Sequence, residues 1–513
     1  TNVLVTQYMR AYTSFTSSST THPNAQPPQH QRWLGPLCTL LKQSSGRGLA
    51  SEVACNMGII YFALNHLGKC HMLLNNVLGR STVENPRHVI KHMHVHYQIL
   101  ANAMSSSSVA RTQCIQFEGA AVLQQSWSVL EGLPKRLVTS VVCNYLRVLT
   151  ALTQNNDEKN REFVHHDVFG IPIIDEVGAK TNAATYGGAY HQHRHQRNET
   201  SLLLLPIRPV VTSQPASLMT NLIIFLMHRL NRVVTNIEHG TVISTNDMDI
   251  IKLGSAMLVQ LGKDQPTAKV LSRMPLVHNF ILLLRRMVLG SPMTGSSKKG
   301  SQSSKSSKSI AFQNSTNARI VQMCMLNVML SMSTHLSEHE LCFYSHNRQN
   351  GAHDTLLLLW RQWCCSSTTT ATANEITLLG HLIRNLSMAN KSKFMAHETL
   401  LEEMLESVLC EEQPIVVACA ASILWSVSYN YKRIIPRMKS CNAALVFQRG
   451  LDILKRDLVN RQKTAVAPPR GASTDKYADS MIANAMQGLI RLTEWCKTNQ
   501  VSNRRVAARN NSP

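Results

Sequence analysis

Acidic residues, aromatic residues and long apolar runs are all scarce in this 513-residue chain. Apolar runs such as Leu202–Leu205 and Leu222–Met227 are far shorter than the roughly 18–20 residues that cross a membrane, so no membrane span is predicted. Charged residues make up only 16% of the chain, which argues against a long coiled coil, since that fold needs charged positions beside its apolar seam. Aromatic residues make up 5% and are not interleaved with basic ones, so nucleic acid is not an expected partner.

Two long stretches contain no acid at all. No acidic residue precedes Glu52, and none lies between Asp264 and Glu338, where nine Lys or Arg occur. The whole chain has 52 basic and 30 acidic residues and a net charge of +22. A basic surface attracts acidic partners such as acidic protein tails, although basic linkers and a solvated basic face would give the same excess.

Motifs for covalent and cofactor chemistry are also missing. The thirteen cysteines include no Cys-x-x-Cys, and an unpaired set in a long chain is typical of a reduced, intracellular protein that packs its thiols as small apolar groups. No glycine-rich phosphate loop and no nucleophile motif is present. The sequence therefore predicts no cofactor and no enzymatic activity. It begins at Thr1, without Met or a signal peptide pattern, which suggests a piece of a longer protein.

Composition divides the chain into helical regions separated by polar segments. Convincing strand alternation is missing, and apolar residues recur at helical spacing. The predicted segments are a Ser/Thr/Pro-rich linker (1–32), helical repeats (33–176), a His/Gln-rich loop insert (177–216), helical repeats (217–290), a Ser/Lys-rich disordered loop (291–316), armadillo-like helical repeats (317–500) and a tail (501–513).

A repeat is visible in the C-terminal third. An apolar helical stripe ends at Leu386 and a second one ends at Val427, and the 41 residues between them fall in the 40–47 range of armadillo and HEAT units. Similar endings occur upstream at Leu258–Leu261 and, more faintly, at Leu149–Leu152. These spacings predict an all-α fold, an armadillo/HEAT-like helical-repeat solenoid with disordered basic inserts.

The same region carries a resemblance to a known family. Its residues are the helix end Asn385–Ser387, the turn Ala389–Lys393, and Ala420–Trp425 with Tyr429–Lys432. Together they resemble the C-terminal armadillo-like region of the rotatin family, over about 60 of the 513 residues. The Asn-Lys turn and the Leu-Trp ending followed by Tyr-Asn-Tyr-Lys are the specific part of this match.

The resemblance implies a non-enzymatic scaffold of centrioles and basal bodies, needed for centriole assembly and structural integrity, centrosome maturation and cilium formation. It implies a place in the cytoplasm, on the cytoskeleton at the centrosome and cilium basal body, with other centriolar proteins as partners. Acidic tubulin tails are a further candidate partner, suggested only by the acid-free stretches. The alternative hypothesis is an armadillo/HEAT adaptor in nuclear transport or ubiquitin ligase assembly.

The candidate protein-binding residues lie in the polar turns and exposed helix ends of the two clearest repeats. They are Asn385, Asn390, Lys391, Lys393, Trp425, Tyr429, Asn430 and Lys432. Polar side chains at such positions also cap helices or bridge neighbouring repeats, so a structural role stays open. A Trp–Asn ladder for basic peptides is not expected, because Tyr429 rather than Asn follows Trp425 by one turn and Arg384 stands one period earlier.

Histidines form the last candidate groups. His88, His92 and His96 would share one face of a helix, and two His four residues apart can hold Zn²⁺. The metalloprotease pattern is absent because no Glu follows the first His. We therefore expect a surface or interface run, with a metal-dependent enzyme as the third hypothesis. The triplet His165–Asp167 is weak support for acid–base chemistry, since no nucleophile motif accompanies it.

Overall fold

The computed structural model describes the chain over fourteen segments, and the statements below concern these residues. They are 1–18, 31–42, 49–78, 86–133, 135–154, 158–171, 217–274, 276–289, 305–336, 352–364, 371–389, 398–430, 432–465 and 476–510. Over these segments the chain is helical and has no strand, so the all-α prediction is confirmed. The chain forms two compact units, unit 1 (Thr1–Leu276 with Gly300–Cys324) and unit 2 (Val277–Lys299 with Met325–Pro513).

Unit 1 contains twelve of the helices. They are α1 (Asn2–Ser18), α2 (Gln31–Lys42), α3 (Leu49–Asn56), α4 (Ile59–Leu78), α5 (Arg87–Ser106), α6 (Ser108–Gln116), α7 (Gly119–Gly132), α8 (Lys135–Thr153), α9 (Glu158–Phe163), α10 (Leu218–Glu238), α11 (Thr245–Gly262) and α12 (Gln265–Arg273), with a π-helical turn at Val164–Val168.

The later helices include all those of the predicted repeat. They are α13 (Leu276–Leu289), α14 (Lys305–Ser333), α15 (Ala352–Cys364), α16 (Ala373–Ala389), α17 (Glu398–Val408), α18 (Pro414–Asn430), α19 (Ile435–Ser440), α20 (Ala443–Ala465) and α21 (Lys476–Asn510), with a 3₁₀ turn at Lys432–Ile434. Helix α14 contributes its residues up to Cys324 to unit 1 and the rest to unit 2. None of the helices in the described segments is both long and apolar enough to cross a membrane.

The helices of unit 1 repeat as triplets of one short and two longer helices. The short helices α3, α6 and α9 each open a triplet, and corresponding helices of successive triplets pack together: α3 on α6, α4 on α7, and α5 on α8 on α11. Tyr97 of α5 meets Tyr145 of α8 with ring centroids 5.6 Å apart. Trp127 of α7 meets Phe225 of α10 at 5.2 Å. Each triplet therefore buries apolar surface that it could not cover alone.

The upstream echoes of the repeat lie in this stack. Leu149–Leu152 is at the end of α8 and Leu258–Leu261 is at the end of α11, and these two helices pack against each other. Leu149 and Leu258 are both fully buried. The endings recognised in the sequence thus belong to corresponding helices of consecutive triplets.

Unit 2 arranges its helices in two rows. One row is α16 on α18 on α21, and in the other α17 packs on α20. Trp360 of α15 extends the second row, since its Nε1 donates to Ser407 Oγ on α17 at 3.0 Å. Close approach needs a small residue: a Cβ on Gly380 of α16 would lie 2.9 Å from the Cβ of Cys419 on α18. Helices one 41-residue period apart are therefore direct neighbours.

Three predicted segment boundaries are wrong. The predicted linker 1–32 contains α1, whose Val5 and Tyr8 are fully buried; a Ser/Thr-rich composition hid this helical stripe. The predicted loop 291–316 overlaps α14, which begins at Lys305 and has buried apolar residues in its later turns. The predicted tail 501–513 overlaps α21, which continues to Asn510. Residues 172–216, with the whole of the predicted His/Gln insert, and 290–304 lie outside the described segments.

Candidate functional site

Four side chains from two helices of unit 2 form an aromatic and basic surface, here called the Trp425 face. Trp425 and Tyr429 lie one turn apart on α18, and Arg491 and Trp495 lie one turn apart on α21. The ring centroids of Trp425 and Trp495 are 5.1 Å apart, and those of Trp425 and Tyr429 are 5.5 Å apart. The guanidinium carbon of Arg491 is 5.6 Å from the centroid of the Trp425 ring.

A glycine allows these two helices to meet closely enough to form the face. Gly488 of α21 lies against Trp425, and a Cβ at this position would be 3.1 Å from both Cβ and Cγ of that side chain. Gly488, Arg491 and Trp495 follow one another at helical spacings of three and four residues, which places them on one side of α21. The guanidinium of Arg491 and the indole of Trp495 therefore lie against the Trp425 ring. That ring can approach α21 closely because Gly488 has no side chain.

The Trp425 face stands at the boundary between core and solvent. Tyr429 is 59% exposed, Arg491 is exposed, and both indole rings are half-buried. Beneath them, Leu424 and Leu489 are fully buried. Trp, Tyr and Arg are the residues most enriched among those that dominate binding energy in protein interfaces. The face therefore contains the residue types that are enriched at such positions, and two of them are exposed.

The charge of the face is carried by Arg491. Its guanidinium is attracted to the electron-rich face of the Trp425 ring, an interaction worth about 0.5–1 kcal/mol at exposed sites. Among the side chains that the structure describes, no carboxylate lies within ion-pair distance of Arg491. Glu494, one turn further along α21, is exposed and has an interaction of its own. The face therefore presents an oriented cation that has no counter-charge in the described part of the chain.

The other predicted binding residues do not extend this face. Asn385 is half-buried on α16, and its Nδ2 donates to Ser333 Oγ at the end of α14 at 2.9 Å. It therefore bridges two helices, which is the structural role that the sequence had left open. Asn430 ends α18 and Lys432 opens the 3₁₀ turn, and only their backbone is described. Asn390, Lys391 and Lys393 lie outside the described segments.

Sequence reasoning found half of the face. It singled out Trp425 and Tyr429, but not Arg491 and Trp495, which lie more than 60 residues further along the chain. The sequence did contain a signal for them. Gly488, Arg491 and Trp495 recur on one helical face, and Gly488 is a small residue of the kind found where another helix approaches. That signal becomes meaningful only when α21 is known to pack on α18.

Comparison with known proteins adds no family to this description. No protein-family model and no curated protein matches the chain. The Trp425 face is therefore the structural feature from which a function can be proposed.

The predicted histidine run forms a second aromatic cluster, in unit 1. His92 and His96 share a face of α5 as predicted, and at only 8% and 1% exposure they lie in an interface between helices and not at the surface, the first of the two settings expected for this run. A hydrogen bond of 2.6 Å joins His96 Nδ1 to the hydroxyl of Tyr8 on α1. The rings of Tyr12 and His66 lie 4.7 and 5.5 Å from that of His96. These five side chains, here called the His96 cluster, attach α1 to α4 and α5.

Burial sets the protonation of the His96 cluster. Desolvation is the main cause that lowers the pKa of His66 and His92 to about 4, with smaller contributions from Lys69 for His66 and from the neighbouring histidines for His92. Desolvation also holds the pKa of His96 well below its usual value. These imidazoles are therefore neutral at pH 7. Within the described segments, no set of three His, Cys, Asp or Glu is placed to hold a metal ion.

The triplet His165–Asp167 lies in the π-helical turn. Its first residue, His165, contacts the residues that begin α12. His165 Nδ1 is 2.9 Å from Thr267 Oγ1 and 3.3 Å from Asp264 Oδ2. Asp264 caps α12, because its carboxylate accepts from the Thr267 backbone N–H at 3.1 Å. Burial raises the pKa of Asp264, but the hydrogen bonds from His165 and Thr267 outweigh it and bring the pKa to about 2. This arrangement accounts for His165 as a structural residue.

Proposed function

We propose that this chain is a non-enzymatic scaffold of centrioles and basal bodies that acts through protein–protein binding on its helical repeats. In that role it supports centriole assembly and structural integrity, centrosome maturation and cilium formation, with other centriolar proteins as partners. The rotatin-like residues support the cellular place, in the cytoplasm at the centrosome and the cilium basal body. The Trp425 face supports the mode of action.

The observation that carries the binding role is the convergence of the Trp425 face. Single exposed apolar residues are common on protein surfaces and need no explanation. Here two indoles, a phenol and a guanidinium come together from two helices that are neighbours in one row of the repeat. Stacked repeats offer continuous surfaces of this kind to partner proteins.

The first test is the location of the full-length protein in dividing cells, stained together with a centriole-wall marker. We expect paired dots that coincide with the marker and persist after microtubules are depolymerised. A diffuse or nuclear signal would contradict the centriolar role and would favour an adaptor in nuclear transport or ubiquitin ligase assembly.

A pair of tyrosine variants tests the surface itself. Tyr429→Ala removes an exposed ring from the Trp425 face, and Tyr61→Ala removes a ring of similar exposure, 56% against 59%, that pairs with Phe117 in unit 1. Each change removes one aromatic pair, so both should cost a similar free energy of unfolding, about 0.5–1.5 kcal/mol. We expect only Tyr429→Ala to reduce the centriolar signal. Equal signals from both variants would show that the Trp425 face is not the binding surface.

A further inference from the structure

Arg491 points to the chemistry of the partner. A guanidinium that stacks on an aromatic ring keeps its N–H groups available to carboxylate oxygens, which it can bind in a bidentate manner. The contact with Trp425 also fixes the position of the charge, so less side-chain entropy is lost when a partner binds. Arg491 is exposed, and no described carboxylate is near enough to pair with it.

The rest of the face supplies an apolar platform beside that charge. Trp495 and Trp425 are half-buried, and Tyr429 is 59% exposed with a hydroxyl that can donate or accept. An apolar side chain laid on these rings would exclude water from the neighbouring guanidinium and so strengthen a charge-assisted hydrogen bond there. The face thus fits a ligand that combines an acidic group with an adjacent apolar one.

We propose that the Trp425 face docks an acidic peptide segment of a partner protein, with a carboxylate on Arg491 and a neighbouring apolar side chain on the rings of Trp425, Trp495 and Tyr429. This inference rests on the proposed scaffold function and specifies the partner's chemistry at that surface. The net charge of +22 favours the approach of such a segment over long range.

Two other kinds of ligand fit less well. A basic peptide would compete with Arg491 for the Trp425 ring and would be repelled by its charge. Single-stranded nucleic acid stacks on aromatic rings, but it also needs a series of cations that follow the phosphates. On the described side chains of the Trp425 face there is one cation, and the exposed carboxylate of Glu494 lies one turn away on α21.

Peptide binding to the full chain tests the proposal. The probes are three short fluorescent oligomers: a peptide with two phenylalanines flanked by glutamates, the same peptide with lysines in place of the glutamates, and a uridine oligonucleotide. Binding is followed by fluorescence anisotropy. The charge-reversal variant is Arg491→Glu, and the matched control is Arg456→Glu, which makes the same charge change on the exposed side of α20.

We expect saturable binding of the glutamate peptide, weakened about tenfold or more by Arg491→Glu and less than about twofold by Arg456→Glu. Circular dichroism should be unchanged in both variants, since both arginines are exposed. The proposal is overturned if the glutamate peptide does not bind, if the lysine peptide or the oligonucleotide binds as tightly, or if the two variants weaken binding equally.

The outcome separates this inference from the proposed function. Centriolar localisation without binding of the glutamate peptide would remove only the acidic partner. Binding of the glutamate peptide through Arg491, together with a nuclear or diffuse signal in cells, would remove only the centriolar assignment.

Discussion

The described part of the chain contains two clusters of aromatic rings that differ in exposure. In the His96 cluster of unit 1, Tyr8 and His96 are essentially inaccessible, because α1 lies over the rings of α4 and α5. In the Trp425 face of unit 2, two helices bring their rings together and leave Tyr429 and Arg491 exposed. The difference is that an additional helix covers the first cluster, and none of the described helices covers the second.

The charge of each cluster follows from its exposure to water. Under α1, a protonated imidazole would lose its hydration without gaining a counter-charge, so the histidines remain neutral. On the Trp425 face, a permanent cation is tolerated because water still reaches Arg491. A neutral cluster with internal hydrogen bonds serves folding, whereas an oriented cation without a counter-charge is suited to binding.

Acidification should loosen the His96 cluster and spare the Trp425 face. Below the ordinary His pKa of about 6.5, the unfolded chain binds protons that folded His66 and His92 refuse until pH about 4. Stability is therefore complete above pH 6.5 and falls as the pH drops through this window, by up to about 1.4 kcal/mol per pH unit for each histidine. Residual hydration of the rings reduces that value.

Amide hydrogen exchange, corrected for its intrinsic pH dependence, measures this effect helix by helix. Protection in α1 and α5 should decline between pH 6.5 and 4.5, while α21, which has no histidine, should change little. Equal loss of protection in α5 and α21 would mean that the buried histidines do not govern the response to acid.

The same substitution should have different consequences in the two clusters. Tyr8→Phe removes the hydroxyl that bonds to His96 Nδ1 and leaves a buried ring nitrogen without its hydrogen-bond partner, at a cost of about 1–3 kcal/mol. Tyr429→Phe, on an exposed ring, should change stability by less than about 0.5 kcal/mol. The free energy of unfolding in urea is measured for both variants of the full chain. Hydrogen exchange in α1 and in α18 then shows where each change acts. A neutral Tyr8→Phe would show that the hydrogen bond does not hold α1 in place.

Periodic features of the fold were predictable from sequence. The stripes ending at Leu386 and Val427 identified two helices, α16 and α18, that are neighbours in the structure, because a repeat must present the same apolar face to the next unit. The same pattern led to Trp425 and Tyr429, which lie at the end of the second stripe. Local spacing therefore sufficed wherever corresponding helices stack on one another.

Features that depend on distant packing were not predictable. Trp495 reaches Trp425 only because α21 packs on α18, and no local pattern near Trp425 announces this. The histidines of α5 are polar, so the local sequence does not indicate that they are buried. Their burial depends on ring contacts with Tyr8 and Tyr12 of α1. Helix α1 was missed for a related reason, since its ring partners in α4 and α5 lie more than 50 residues further along the chain.

Two glycine substitutions of opposite sign test how the clusters are built. An alanine Cβ at Gly488 would lie 3.1 Å from Cβ and Cγ of Trp425, so Gly488→Ala must shift a packed indole, at a cost of about 1–3 kcal/mol. At Gly68 of α4, near the His96 cluster, a Cβ would meet nothing within 4 Å. Gly68→Ala should therefore stabilise the helix by about 0.5–1 kcal/mol.

Hydrogen exchange in α21 and α4 should show these opposite changes. Gly488→Ala should also alter indole fluorescence, because it separates Trp425 from Trp495. If Gly488→Ala were neutral or stabilising, α18 and α21 would not be in the close contact that creates the Trp425 face.

A small effect on stability is expected from Arg491→Gln. This change removes the cation above the Trp425 ring, whose attraction is worth only about 0.5–1 kcal/mol at an exposed site. The loss should be no greater than that by urea unfolding, with far-UV circular dichroism unchanged. A loss above about 2 kcal/mol would place the guanidinium among the interactions that hold α21 to α18. In that case, Arg491 would serve the fold as the His96 cluster does, and its charge would not be free for a partner.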